Sequence, residues 1–165
     1  MRLYLLVALL LASAAADAAS PTPFGEGSWQ TLVQAHAGRP AIVHFWGVTC
    51  EPCQVELPKW GKLLRQRPDL PLVLIEADAV PVNSGRIDGI LRKAGLAKAE
   101  SWMLVNSDDR LRYQIDPDWA GELPMTLLIG CDGKITRILG IADFDRVGQW
   151  LAGQATEHAC SSGRW

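Results

Sequence analysis

Two cysteines spaced C-x-x-C, Cys50 and Cys53, stand between an apolar run (Ala41 to Trp46) and a helical pattern. That juxtaposition limits the possible folds more than any other stretch of the chain. A short run of consecutive apolar residues bounded by turn signals reads as a buried strand. Leu57, Trp60, Leu63 and Leu64 recur at i, i+3 and i+4 spacing and predict a helix that starts at the cysteines and runs to about Arg67. Cys50 then occupies a helix N-terminus and Cys53 lies one turn inside. Residues i and i+3 share a helix face, so the two sulfurs can close a small disulfide ring. Unpaired amides and the positive dipole end of the helix stabilise a thiolate at Cys50. Thiolate is the reactive form of cysteine, so the stretch suits thiol–disulfide exchange. Pro58 falls within the helical pattern and predicts a kink, because proline removes a donor and crowds the preceding turn.

The chain of 165 residues predicts one domain, and its 48% apolar content is enough for a core. Arg2, the apolar run Leu3 to Ala12 and the small residues up to Ala19 predict a signal peptide over residues 1–19. The apolar run is short for a membrane span, so an uncleaved anchor is the lesser alternative. No cysteine follows directly, so no lipoprotein anchor is expected. Export to an oxidising compartment, a bacterial periplasm, follows, and four cysteines there are most often paired. With a formal net charge of −2, no long basic run and seven scattered Trp, no nucleic-acid partner is expected.

Residues 20–27 read as a lead-in or linker, 28–155 as the folded domain and 156–165 as a polar tail. Ser28 is expected to cap a helix over Trp29 to Ala37, stopped by Gly38. Pro71 to Ala77 reads as a second buried strand. Ser84 is expected to cap a helix to Ala94, with Gly95 ending it. Ser101 to Val105 predicts a short strand and Asp108 to Ile115 a helical turn or two. Met125 to Ile129 and Ile135 to Leu139 predict strands joined at Asp132-Gly133, and Asp143 caps a last helix to about Ala152. The order predicts a parallel β-α-β half joined to an antiparallel β-β-α half in one α/β sheet flanked by helices.

A C-x-x-C can also be half of a zinc site or a structural bridge. Structural zinc needs paired ligand knuckles. Cys131, Cys160, His36 and His158 form none. The position between a strand and a helix start favours a redox site. Here the chain resembles the thioredoxin-like periplasmic reductases of the TlpA/ResA/CcmG type. Phe45-Trp46-Gly47-Val48-Thr49-Cys50-Glu51-Pro52-Cys53 is similar to their F-W-A-x-W-C-x-P-C signature. Glu56-Leu57-Pro58 matches the following E-[LF]-P, and Gly121 to Thr126 is similar to a G-x-P-T loop with one extra residue. The resemblance implies a thioredoxin fold, a nucleophilic Cys50, a resolving Cys53, and a cis-proline at Pro124 facing them with Leu123 offering backbone to a substrate segment. It also implies that Glu56 lies near the pair, raising thiol pKa values or relaying protons; the alternative is a solvated helix carboxylate. Glu51 is expected to act from outside.

Two departures from the pattern matter most for the chemistry. Thr49 stands where a tryptophan is usual, so a flat shield over the site is lost. His44 stands where thioredoxin has a buried Asp, and its ordinary pKa of about 6.5 suits it to take a proton from Cys53; the alternative is a neutral core histidine bonded to backbone. A Cys131–Cys160 disulfide is expected to staple the tail to the sheet.

The function implied is a monomeric exported protein thiol–disulfide oxidoreductase. It reduces disulfides of other exported proteins, such as apocytochrome c haem-site cysteines or a copper-site assembly protein. A membrane electron donor re-reduces it; no flavin or nicotinamide motif is present, and no cofactor or metal is expected. The alternatives are a periplasmic oxidase or isomerase and, less favoured, a copper-binding chaperone using the two thiolates with His44.

Overall fold

A computed structural model describes residues 20–106 and 108–156, with the side chains of 155 and 156 left aside. The predicted signal peptide and the tail with Cys160 lie outside the described residues. Six strands form one sheet in the order β1-β4-β3-β2-β5-β6. They are β1 (Thr22–Phe24), β2 (Ala41–Trp46), β3 (Leu72–Glu76), β4 (Glu100–Leu104), β5 (Met125–Ile129) and β6 (Ile135–Leu139). The helices are α1 (Ser28–Ala35), α2 (Glu51–Gln66), α3 (Ser84–Ala94), α4 (Asp109–Ile115) and α5 (Phe144–Thr156). β1, β4, β3 and β2 run parallel, while β5 pairs antiparallel with β2 and β6 with β5. This is the expected pairing of a parallel half and an antiparallel half.

Alternation along the strands divides the core into two layers. Ile42, Trp46, Leu72, Leu74 and Leu128 face Leu57 and Trp60 of α2, Ile87 and Leu91 of α3, and Val147 and Leu151 of α5. Val43, Phe45, Val73, Ile75 and Leu127 face Trp29 and Leu32 of α1 and Leu111 and Ile115 of α4. His44 and Thr126 are directly opposite each other on β2 and β5, on the α2 side of the sheet.

Four local expectations change. The lead-in is not irregular: β1 adds a strand beside β4, and Phe24 is buried with its ring edge-on to Trp102 at 5.8 Å. α3 is capped by Asn83, whose side chain accepts from the Gly85 N–H at 2.9 Å, and begins at Ser84 itself. α1 follows Gly27, and the Ser28 hydroxyl instead accepts the Gly25 N–H at 3.0 Å. α5 continues past Gly153 because Gln154 finds a tertiary partner, the Cys131 N–H, at 3.1 Å. α2 runs through Pro58 without interruption.

Candidate functional site

The site forms at the C-terminal end of β2. Trp46 closes the strand, residues 47–49 turn, and Cys50 is the N-cap of α2 with extended backbone angles (φ −86°, ψ 102°). Pro52 in the first turn suits the helix start, where its missing N–H costs no hydrogen bond. The Cys50 sulfur accepts the Cys53 N–H at 3.2 Å, so one of the orphan amides points at the sulfur that would carry the thiolate. Cys50 and Cys53 are joined in a disulfide. Cys50 is half-buried, whereas Cys53 is fully buried. A partner can therefore reach one sulfur and not the other.

Pro124 precedes β5, and the Leu123–Pro124 bond is cis. Leu123 meets the C-x-x-C turn directly: a Cβ added at Gly47 would lie 3.1 Å from the Leu123 side chain. A cavity of about 240 Å³ opens beside this junction, lined by Asp78, Arg112, Trp119, Gly121 and Leu123 among others. A larger cavity of about 600 Å³ lies at the opposite end of the sheet, around Arg39, Arg67 and Leu151, and has no part in this chemistry.

Glu56 is fully buried, which overturns the solvated alternative. Its Oε1 accepts from the Trp60 indole at 2.9 Å and from the Ala142 N–H at 3.2 Å, while Oε2 has no protein partner. Burial raises its pKa, and the two hydrogen bonds and Lys59 oppose that shift. The carboxyl group sits one turn beyond Cys53 on the same helix, covered by the Ala142 segment that leads into α5.

His44 is also fully buried. Its Nδ1 lies 2.9 Å from the Thr126 hydroxyl, its ring tilts against Trp60 at 5.3 Å, and Nε2 has no partner. Burial pushes its pKa down to about 3. The ring is neutral near neutral pH, and the ordinary basicity that suggested a proton acceptor is lost. The backbone contact in the blander alternative is replaced by the Thr126 side chain. Trp60 joins the two groups, bonding Glu56 through its indole N–H and packing its ring on His44.

The sequence did not single out Asp78 or Glu76. Asp78 Oδ2 accepts the Val48 N–H at 2.6 Å and the Thr49 N–H at 3.2 Å; Oδ1 accepts the Thr49 hydroxyl at 2.6 Å. Glu76 is buried at the end of β3, and its Oε1 accepts the Asp78 N–H at 3.0 Å. Burial raises the Glu76 pKa to about 7, helped by the neighbouring Asp78 carboxyl and resisted by the Asp78 N–H. The signal was available: Glu76 and Asp78 are acidic residues at the end of an apolar run, where a charge is unusual without a partner.

Cys131 is buried and disulfide-bonded. Its expected partner, Cys160, lies outside the described residues. Among the described residues no group of three or more His, Cys, Asp or Glu is placed to hold a metal ion, and no helix is long and apolar enough to cross a membrane.

No protein-family model and no curated protein sequence matches the chain. Solved structures do match in fold. A secreted Mycobacterium tuberculosis disulfide oxidoreductase homologous to E. coli DsbE is 19% identical with TM-score 0.54, covering 73% of this chain and 85% of that one. A thioredoxin-related protein from Neisseria meningitidis serogroup B is 20% identical with TM-score 0.56, over 72% and 86% of the two chains. A thiol-disulfide isomerase from Corynebacterium glutamicum is 14% identical with TM-score 0.61, over 75% and 85%. At these identities the likeness is one of fold, and the chain has the thioredoxin fold: a mixed sheet flanked by helices, with Cys50 and Cys53 where β2 turns into α2.

Proposed function

We propose that the chain is an exported protein thiol–disulfide oxidoreductase that reduces disulfides in other exported proteins. The observation that carries this is the unequal exposure of the pair at the start of α2, with Cys50 half-buried and Cys53 sealed. In the dithiol form the Cys50 thiolate attacks a substrate disulfide. A Cys50–substrate S–S bond forms, the substrate S–S bond breaks, and one substrate thiol leaves with a proton. Cys53 then loses its proton and attacks the Cys50 sulfur, releasing the second substrate thiol. Two electrons have passed to the substrate, and Cys50–Cys53 is the disulfide. A membrane electron donor with a dithiol of its own returns the pair to the reduced state.

Glu56, buried one turn beyond Cys53 with Oε2 left without a protein partner, accepts the Cys53 proton as its carboxylate, and burial raises its pKa in the direction that makes it a stronger base. Pro124 and Leu123 present backbone opposite Cys50 to an extended substrate segment. His44 supports this arrangement through Trp60 and Thr126 rather than by titrating. The periplasm and apocytochrome c cysteines, or a copper-site assembly protein, are the location and substrates that the resemblance in the C-E-P-C-x-x-E-L-P run supports.

The test is disulfide reduction with a model protein substrate and a chemical dithiol as donor. Cys50→Ser abolishes turnover. Cys53→Ser accumulates a covalent mixed disulfide at Cys50, seen as an adduct by intact mass. Absence of both effects would remove the proposal. The isomerase among the structural neighbours makes oxidation or isomerisation the second reading. The potential of Cys50–Cys53 separates them: below about −220 mV the pair is a reductant, and near about −120 mV an oxidant.

A further inference from the structure

Gly47 stands where the signature has alanine, and Thr49 where it has tryptophan. The structure joins these two departures through one side chain. A Cβ at Gly47 would lie 2.5 Å from Asp78 Oδ1 and 3.0 Å from its carboxyl carbon, so the carboxylate occupies space that any larger residue would fill. From that seat it binds both amides that precede the nucleophile, Val48 N–H and Thr49 N–H, and the Thr49 hydroxyl. Asp78 is itself held by its own N–H on buried Glu76. Thr49 is exposed, so this hydroxyl bond has no burial to explain it.

We infer that Asp78 is a positioning residue for Cys50: its carboxylate, seated over Gly47, fixes the turn that carries the nucleophile and sets how readily the Cys50 thiol ionises, with Thr49 damping its charge. The inference rests on the function proposed above. Asp78 reaches the peptide next to Cys50, and its negative charge disfavours a second one on the sulfur. The Cys50 sulfur accepts from the Cys53 N–H, while the two amides ahead of it are bonded to Asp78. The Thr49 O–H, donated to Oδ1, reduces the charge that Cys50 feels. Among the described residues, the charged groups facing this carboxylate include Glu76 on β3 and Arg112 of α4, which lines the same cavity and pairs with Asp109; exposed Glu51 lies in the first turn of α2, next to Cys50 in sequence.

Loss of the carboxylate and loss of the hydroxyl should therefore move Cys50 in opposite directions, whereas simple loosening of the turn would move it the same way in both. The experiment uses the full chain, reduced at Cys50–Cys53. The alkylation rate of Cys50 is followed across pH, alongside the equilibrium of the pair with glutathione. Asp78→Asn is expected to raise the alkylation rate below the thiol midpoint about threefold, corresponding to about half a pKa unit, and to shift the glutathione equilibrium toward the dithiol. Thr49→Val lowers the rate about twofold and shifts the equilibrium toward the disulfide, and Thr49→Ser restores wild-type behaviour. If Asp78→Asn does not fold, the Val and Ser variants at exposed Thr49 carry the test. An active wild type with both variants shifted the same way, or with neither shifted, overturns this inference alone. A wild-type pair that exchanges with no disulfide overturns the proposed function, and this inference with it.

Discussion

Glu56 joins an observed structural role to the proton-accepting role proposed for it. Its Oε1 accounts for the Trp60 indole and the Ala142 N–H, which ties α2 to the segment entering α5. Glu56→Gln keeps an acceptor in place and should cost less than about 1 kcal/mol, while Glu56→Ala leaves two buried donors unpaired and should cost on the order of 3 kcal/mol. Urea unfolding checks both values. The same Gln variant should slow release of the mixed disulfide, because an amide cannot accept the Cys53 proton. A variant with normal stability and normal release would show that Glu56 is purely structural. The residue type and spacing were legible from C-x-x-C-x-x-E. Its burial was not, because that depends on Ala142, a residue 86 positions away.

At the scale of elements, α2 is the piece on which both the core and the site depend. It carries Cys53, Glu56, Leu57 and Trp60 on one buried face. It also approaches α3 closely enough that a Cβ at Gly61 would lie 1.7 Å from the Ala94 carbonyl oxygen. A helix interior ordinarily disfavours glycine by about 1 kcal/mol, so the close approach explains its presence. Gly61→Ala should therefore destabilise by about 1–3 kcal/mol despite the better helix propensity, read as a lower urea midpoint. An unchanged or raised midpoint would contradict the packing. The helix itself was legible from its apolar spacing. The contact with α3 was not, since it is set by how two separate helices lie on one sheet. β1 escaped notice for a related reason: three residues with prolines on either side of Thr22 carry no periodic pattern, and only pairing with β4 makes them a strand.

For the whole molecule, buried ionisable groups on the α2 face of the sheet set the dependence of stability on pH. His44 is lowered from 6.5 to about 3, so its neutral ring contributes stability that is complete above 6.5 and is lost as pH falls toward 3. Glu76 is raised from 4.5 to about 7, so its contribution is complete below 4.5 and is lost as pH rises through about 7. Each slope is at most about 1.4 kcal/mol per pH unit. Between pH 4.5 and 6.5 His44 opposes Glu76, with the raised Glu56 acting in the same sense as Glu76, which predicts a shallower dependence there than His44 or Glu76 alone would give, and a fall on the acid side. His44→Asn should expose a decline with rising pH in that interval, and Glu76→Gln should expose a rise. Unfolding midpoints measured across pH test this, and identical profiles for the two variants would contradict it.

Much of this protein was written locally. The apolar run Ala41 to Trp46, the C-x-x-C, the α2 spacing and the Asp132-Gly133 turn are short-range patterns, and short-range sterics and periodicity suffice to read them. They determined the strand–turn–helix that places Cys50 ahead of Cys53, and the two halves of the sheet. What the cysteines are surrounded by was decided only when distant segments met. Sheet order carries the end of β3 beside the C-x-x-C turn, which puts Asp78 over Gly47 and turns Thr49 into its partner. Antiparallel pairing of β2 with β5 sets His44 against Thr126, and the segment leading into α5 closes over Glu56 through Ala142. Desolvation and hydrogen bonding act through space, so the electrostatics of the site follow from tertiary contacts that no local pattern encodes.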